Sequence, residues 1–126
     1  MRKISRPGLI RAVDKAFSRY IRKRAADHVG WCECVTCGVS VPLEDIQAGH
    51  FVKRGHASVR WDERNVYPQC KGCNHFKDGA QDEMANHIVK IHGERVLAEL
   101  IVLKHTAKHW TMPELRELLD HYREKE

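Results

Sequence analysis

The sequence has no long hydrophobic run, and this absence excludes a membrane-spanning helix. No apolar stretch approaches the roughly 20 residues that such a helix needs. The N-terminus is basic but lacks a signal-peptide core, and the chain has neither internal repeats nor a glycine-rich phosphate-binding loop. With 42% hydrophobic and 31% charged residues among 126, the composition predicts one globular domain without a membrane partner.

Four of the five cysteines form two Cys-x-x-Cys pairs. In a reducing cytosol, such pairs indicate a metal site rather than disulfides. Cys34 and Cys37 precede Cys70 and Cys73 by a spacing that predicts one structural zinc ion with four thiolate ligands. Cys32 competes with Cys34 as a ligand, but Cys34 belongs to the better Cys-x-x-Cys-Gly knuckle.

The hydrophobic pattern predicts an α+β fold with helices at both ends of the chain. Ser5-Arg6-Pro7 predicts a helix entry, with Pro tolerated in the first turn. Apolar residues from Ile10 to Ile21 then recur at helical spacing, in a segment that Gly30 ends. A turn is expected over residues 39–44. Gly93 separates two later helices, and Thr111-Met112-Pro113-Glu114 is a capping box that begins the last helix. One compact domain is predicted, consisting of a basic N-terminal helix (1–30), a zinc-bound ββα core (31–80) and a C-terminal helical part (81–126).

The segment between the cysteine pairs predicts a β-hairpin. Alternating residues 46–53 predict its first strand, residues 53–58 a short basic loop, and Val66-Tyr67 the second strand. Pro68 is expected at the end of that strand, since it has no amide hydrogen for a ladder. A helix is expected to begin at about Asn74.

Three polar residues within this frame predict a nuclease. His50 suits the activation of water, because imidazole titrates near neutral pH. Asn65 can clamp the hairpin and orient the imidazole, and Asn74 can offer an oxygen to a catalytic Mg²⁺ or Mn²⁺ ion. Whether His50 is the base or a second ligand of that ion stays open. Each residue alone is typical of a structural role. Their order, with the two cysteine knuckles as the frame, favours catalysis by a ββα-metal, HNH-like core.

Positive charge is concentrated in two segments, which predicts contacts with a phosphate backbone. The net charge is +5. Residues 1–30 carry nine Lys or Arg against two Asp, and residues 50–77 carry six against two acidic residues. The alternative for the N-terminal helix is an ordinary solvated face. The candidate DNA contacts are Arg19, Arg22, Lys23, Arg24, Lys53, Arg54, Arg60 and Lys77.

The chain resembles the NinG (Rap) recombination proteins of phage lambda over nearly its whole length. The matching stretches are residues 17–22, 34–38, 48–51, 60–66, 69–74, 93–96 and the terminal helix from Trp110. The resemblance implies an HNH-type endonuclease that cuts branched recombination intermediates, such as Holliday junctions and D-loops. It also implies a phage or prophage origin and a location in the bacterial cytoplasm.

Two positions depart from the expected pattern. Most HNH nucleases carry an acidic or histidine ligand directly before the base, where this chain has Gly49. NinG-like proteins often have an aspartate three positions before the histidine, where this chain has Gln47. Asp45 is one carboxylate that can substitute as a ligand.

Three further expectations concern function and assembly. The alternative function is a non-catalytic zinc-ribbon module that binds nucleic acid during recombination. A sequence-specific nuclease is less favoured, because the chain has no separate base-reading element. Cutting two opposed strands favours a homodimer with the C-terminal helices as its contact.

Overall fold

The computed structural model describes residues 3–126, and within them the chain forms helices and small antiparallel sheets. The predicted mixed α+β class is confirmed. The α-helices are α1 (Arg6–Ala25), α2 (Gln81–His92), α3 (Glu94–Lys104) and α4 (Met112–Glu124). The strands are β1 (Trp31–Glu33), β2 (Ser40–Pro42), β3 (Gln47–His50) and β4 (Val66–Gln69). In this part of the chain, no helix combines the length and apolar character needed to cross a membrane.

Helix α1 begins where the sequence predicts but ends earlier. Ser5 is its N-cap and accepts a hydrogen bond from the amide of Gly8 at 3.1 Å, with Pro7 in the first turn. The helix ends at Ala25, because Ala26 is extended. Gly30 belongs instead to the turn before β1, where its φ of +84° suits a residue without a Cβ.

One face of α1 packs against α4 and forms the largest apolar cluster. Phe17 and Tyr122 meet edge to face with ring centroids 5.0 Å apart. Each fully buried large side chain contributes about 1.5–3 kcal/mol through the removal of apolar surface from water. The buried members of this cluster on the two helices are Leu9, Val13, Ala16, Phe17, Ile21, Leu115, Leu119 and Tyr122.

Strands β1 and β2 form a hairpin that the sequence analysis does not predict. It pairs Cys32 with Val41 and carries the first cysteine knuckle at its tip. The expected turn over residues 39–44 is therefore wrong, since these residues contain β2 and a 3₁₀ turn at Leu43–Asp45. Strands of three residues are too short for a recognisable alternation.

Strands β3 and β4 form the β-hairpin that the sequence predicts, but with different strand bounds. The register pairs His50 with Val66 and Ala48 with Pro68. Pro68 lies within β4 rather than after it, and its carbonyl accepts a bond from the Val35 amide at 3.0 Å. The connection covers residues 51–65 and includes 3₁₀ turns at Ala57–Val59 and Glu63–Asn65, so it is longer than the predicted loop.

The helix expected from Asn74 is a single turn of π-helix at Gly72–Phe76. The chain then breaks, with positive φ at Asp78, Gly79 and Ala80, before α2 starts at Gln81. Positive φ disfavours continuation of a right-handed helix. The later predictions are confirmed: Gly93 separates α2 from α3, and Thr111 and Glu114 form the capping box of α4.

The π turn, β3 and α1 surround one cleft. A second apolar cluster joins α2 and α3 to the residues around the β3–β4 connection, including Val52, Val59 and Tyr67. A third cluster contains Cys32, Cys34, Cys73 and Ile46. The packing of these clusters around the β3–β4 hairpin positions the cleft.

Candidate functional site

The four predicted zinc ligands come together in space. The sulfur atoms of Cys34, Cys37, Cys70 and Cys73 all lie within 4.8 Å of one another. The Cys37 and Cys70 sulfurs are 3.7 Å apart, and Zn–S bonds of about 2.3 Å in a tetrahedron place sulfurs about 3.8 Å apart. This donor set fits zinc. Cys32 lies outside the cluster, with its sulfur 3.9 Å from the carbonyl oxygen of Arg22.

Cys34 and Cys73 of this cluster differ in how readily they lose a proton. Burial opposes ionisation of Cys34, but hydrogen bonds from Thr36 and backbone amides outweigh it and lower its pKa to about 6. Burial raises the pKa of Cys73 to about 12. The group therefore ionises unevenly by itself, whereas a bound divalent cation favours the thiolate form of every ligand.

A cleft of about 370 Å³ lies beside this cluster. It brings together His50 of β3 and Asn74 of the π turn, two of the three predicted catalytic residues. Lys53 and Arg54, at the start of the β3–β4 connection, also line it. The remaining lining residues are Asp14, Phe17, Ser18, Ala48 and His75.

His50 is held in one tautomer. Its Nε2 lies 2.8 Å from the carbonyl oxygen of Arg60. A carbonyl only accepts, so Nε2 carries the proton and Nδ1 keeps its lone pair. Burial lowers the pKa of His50, which keeps the ring neutral at neutral pH. A neutral imidazole with a free lone pair can accept a proton or bind a cation, so both predicted roles remain chemically open.

Asn65 does not line the cleft. It is fully buried, and its Nδ2 donates to the carbonyls of Val52 and Val59 at 3.0 and 3.2 Å. Its Oδ1 accepts a bond from the Val52 amide at 2.8 Å. The side chain thus clamps the segment that follows β3, and any influence on His50 passes through this backbone rather than through the cleft.

Asn74 is positioned with one polar atom free. Its side-chain Nδ2 donates to Oε1 of Gln47 at 2.8 Å, and its backbone N–H donates to the Cys70 carbonyl at 3.0 Å. The side-chain Oδ1 can only accept and is not used by either bond, so it remains available to a cation. Gln47, which replaces the aspartate expected from the resemblance, serves here to orient Asn74.

The absence of a side chain at Gly49 has a structural cause. A Cβ at Gly49 would lie 1.8 Å from Oε1 and 2.6 Å from Cδ of Gln69. Gln69 is fully buried and its Nε2 donates to the Gly79 carbonyl at 2.8 Å. No acidic ligand can therefore occupy position 49 while Gln69 fills this space.

Asp14 is the carboxylate in the cleft that the sequence analysis missed. It accepts bonds from the Arg60 guanidinium at 3.0 and 2.5 Å and from Trp61 Nε1 at 2.9 Å. Asp45, the carboxylate suggested from sequence, is exposed on its 3₁₀ turn and does not line the cleft. One signal could have found Asp14, because it is the only acidic residue among the first 26.

The predicted DNA contacts around the cleft differ in availability. The Arg60 guanidinium forms an ion pair with Asp14 inside the fold and is therefore less available to DNA. Lys53 and Arg54 are exposed at the mouth, where Lys53 Nζ is 3.0 Å from the Asp78 carboxylate and Arg54 is 3.9 Å from that of Asp14. Such exposed pairs are weak and can be exchanged for phosphate.

The other predicted contacts lie mainly on α1. Arg22 is half-buried and bonds to the Leu43 carbonyl at 3.3 Å. Arg24 pairs with Glu63 at 2.7 Å, and Lys23 donates to the carbonyl of Glu126 at 2.7 Å. The remaining two predicted contacts are exposed; they are Arg19 and Lys77.

Comparisons with known proteins agree on one family. The sequence model described as "Bacteriophage Lambda NinG protein" matches residues 4–126. Protein ninG of Escherichia phage 933W is 29% identical over 117 residues, covering 92% of this chain and 55% of that protein. The corresponding values are 27%, 92% and 54% for protein ninG of Escherichia phage lambda.

Protein ninG of Salmonella phage P22 is 28% identical, again over 92% of this chain and 55% of the relative. The chain thus spans about half the length of the curated relatives that it matches. No solved structure matches it significantly. Because the family model covers nearly every residue, the chain belongs to the NinG family.

Proposed function

We propose that this chain is a divalent-metal-dependent endonuclease of the HNH type that cuts branched DNA. The observation that carries the proposal is the shared cleft of His50 and Asn74. Each side chain has one nitrogen bound to the protein and one polar atom left for a ligand. The adjacent cysteine cluster fixes the turn that bears Asn74.

In the proposed reaction, His50 Nδ1 takes a proton from the attacking water. A new P–O bond forms as the bond to the departing ester oxygen breaks, and that oxygen takes a proton from solvent. Lys53 and Arg54 hold the phosphate at the mouth of the cleft. Asn74 Oδ1 is the ligand we assign to Mg²⁺ or Mn²⁺, which would stabilise charge on the phosphate and leaving group.

Asp14 contributes to the orientation of His50 through Arg60. Its carboxylate holds the guanidinium of Arg60, and the backbone carbonyl of Arg60 holds His50 Nε2. The same carboxylate accepts from Trp61, which ties α1 to the β3–β4 connection. We assign Asp14 as a positioning residue that sets the direction of the imidazole lone pair.

The preference for branched DNA rests on the resemblance set out above and on the form of the cleft. Contacts of the Lys53 and Arg54 side chains with DNA phosphates would depend on the shape of the DNA rather than on its base sequence. The proposal includes a phage or prophage origin, action in the bacterial cytoplasm and two copies on opposed strands. Exposed Ile101 and Val102 on α3 offer an apolar contact between copies.

The direct test is cleavage of a four-way junction by purified protein with added Mg²⁺. His50→Ala is expected to lower the rate by about 10²–10⁴, the usual contribution of a general base, while the protein stays folded. His92→Ala, at the exposed end of α2, is the matched control and should cut normally. Cutting at full rate by the His50 variant would end its assignment.

The pH dependence gives a second readout on His50. Burial lowers its pKa, so the neutral form should persist below the ordinary value of about 6.5. The rate should fall only when the pH drops through this lowered pKa, and the acidic limb should vanish in His50→Ala. A rate that declines as pH rises through 6–8 would contradict a neutral base.

A second candidate is a non-catalytic module that binds nucleic acid. It is favoured by the state of Asp14, since this cleft carboxylate is already engaged by Arg60 and Trp61 rather than free for a cation. This candidate predicts salt-sensitive junction binding with no cleavage in Mg²⁺ or Mn²⁺. Titration of both ions on labelled junction DNA separates the two functions.

A further inference from the structure

Phe76 is the most exposed large hydrophobic side chain in the described part of the chain. Its relative exposure is 84%, compared with 66% for Val102 and 65% for Val29. Phe76 does not belong to the apolar clusters of the core. Single exposed hydrophobic residues are common on protein surfaces, so the position of this ring in the fold decides whether it can serve in binding.

Phe76 directly follows a residue of the proposed catalytic cleft. His75 lines that cleft, and the His75 and Phe76 ring centroids are 6.4 Å apart. Lys53, another lining residue, bonds to Asp78, two residues beyond Phe76. Phe76 itself does not line the cleft, but its ring is presented to solvent from the short segment between these two contacts.

The backbone that presents Phe76 is fixed on both sides. Cys73, a member of the four-sulfur cluster, lies three residues before it. The Lys77 amide donates to the Gly72 carbonyl at 3.0 Å, and the Gly79 amide donates to the Cys73 carbonyl at 2.9 Å. A ring on so constrained a turn is available for contact without a large ordering cost.

The exposed charges near this segment are mainly cationic. Lys53 and Arg54 line the cleft, Lys71 and Lys77 flank the π turn, and all four are exposed. Asp78 is an exposed carboxylate of the same segment and pairs with Lys53. A ligand that matches this surface has a flat apolar face attached to a chain of negative charges. Nucleic acid with an accessible base has this chemistry, and aromatic side chains beside basic grooves typically stack on such bases.

We propose that Phe76, backed by His75, stacks on an unpaired or unstacked base next to the phosphate in the cleft. In continuous duplex DNA both faces of each base are covered by neighbours, whereas a branch point leaves a face open. Phe76 would thus select branched over continuous DNA, an inference that rests on the proposed function. The occupant is a nucleobase of DNA.

The test is binding to a four-way junction that carries 2-aminopurine at the branch, without added divalent ions so that no cutting occurs. Wild-type protein is expected to quench the fluorescence by stacking. Phe76→Ala should not quench, and its preference for junction over duplex should fall about tenfold, within the range for loss of one base-stacking contact. Phe76→Trp should retain both properties, since the indole also stacks.

Val29→Ala is the control, because Val29 is an exposed hydrophobic residue between α1 and β1, outside both the π turn that bears Phe76 and the cleft. Equal quenching and equal junction preference in wild type and Phe76→Ala would overturn the inference. If wild type quenches through Phe76 but never cuts with Mg²⁺, the stacking site stands and the nuclease proposal fails. If wild type cuts junctions with Mg²⁺ but Phe76→Ala leaves the junction preference unchanged, the nuclease proposal stands and the stacking site fails. Absence of junction binding overturns both.

Discussion

Asn65 and Asn74 show how one residue type serves two purposes in this molecule. Asn65 is fully buried and saturated by backbone groups, whereas Asn74 is half-buried and keeps its Oδ1 free at the cleft. Both positions were predicted as functional from their order in the chain. Only the burial of each amide distinguishes a structural clamp from a group that can reach a cation.

Replacement of Asn65 by alanine should lower stability rather than act on the chemistry directly. The change leaves the amide of Val52 and the carbonyls of Val52 and Val59 without partners in the protein interior. Unpaired buried polar groups are costly, so we expect a loss of about 3 kcal/mol in the free energy of unfolding, measured with urea.

Asn74→Ala is the matched variant for that experiment. It removes one hydrogen bond at a half-buried position, so its unfolding free energy should fall by about 1 kcal/mol while cutting is lost. A stable Asn65→Ala protein that binds junctions but cannot cut them would instead place Asn65 in the reaction.

At the scale of elements, two short pieces of structure share the cysteine cluster. The β1–β2 hairpin carries Cys34 and Cys37, and the segment from Cys70 into the π turn carries the other pair. These pieces are too short to be stable alone. A metal ion that joins them would supply the binding energy that holds the cleft together.

We therefore expect Cys34→Ser and Cys32→Ser to behave differently. Cys34 belongs to the cluster, so its loss should abolish stoichiometric zinc binding and lower the melting temperature. Cys32→Ser should keep one zinc per chain, because its sulfur lies outside the cluster. Metal analysis of both purified proteins provides the measurement. Loss of zinc in the Cys32 variant alone would reverse the ligand assignment.

At the scale of the whole molecule, positive charge is divided between internal and external use. The chain has 22 basic and 17 acidic residues. Arg60 is engaged by Asp14 below the surface, whereas Lys53 and Arg54 remain exposed at the cleft mouth. Counting charge along the chain overstates the phosphate-binding surface, because ion pairs within the fold consume part of it.

Removal of charge at the cleft mouth should weaken DNA binding in a salt-dependent manner. Arg54→Ala is expected to reduce the slope of log affinity against log salt by about one, the effect of one lost phosphate contact. Arg95→Ala, exposed on α3, should leave the slope unchanged. Junction binding at several salt concentrations measures both slopes, and equal slopes for the two variants would contradict a phosphate contact by Arg54.

Features that depend on local residue pattern can be predicted from the amino-acid sequence. The N-cap at Ser5, the capping box at Thr111 and the stop at Gly93 each involve groups within a few residues. The four clustered cysteines could also be predicted, since two Cys-x-x-Cys pairs have few ways to bind one ion. His50 and Asn74 were placed in one site by their order around these pairs.

Which side chains share the cleft depends instead on packing between distant segments of the chain. Asp14 comes from α1, more than thirty residues before β3, and its contacts with Arg60 and Trp61 exist only after α1 packs on the β3–β4 hairpin. The need for glycine at position 49 likewise follows from the side chain of Gln69 on the opposite strand. Such contacts depend on distances between segments remote in the chain, which local residue preferences do not encode.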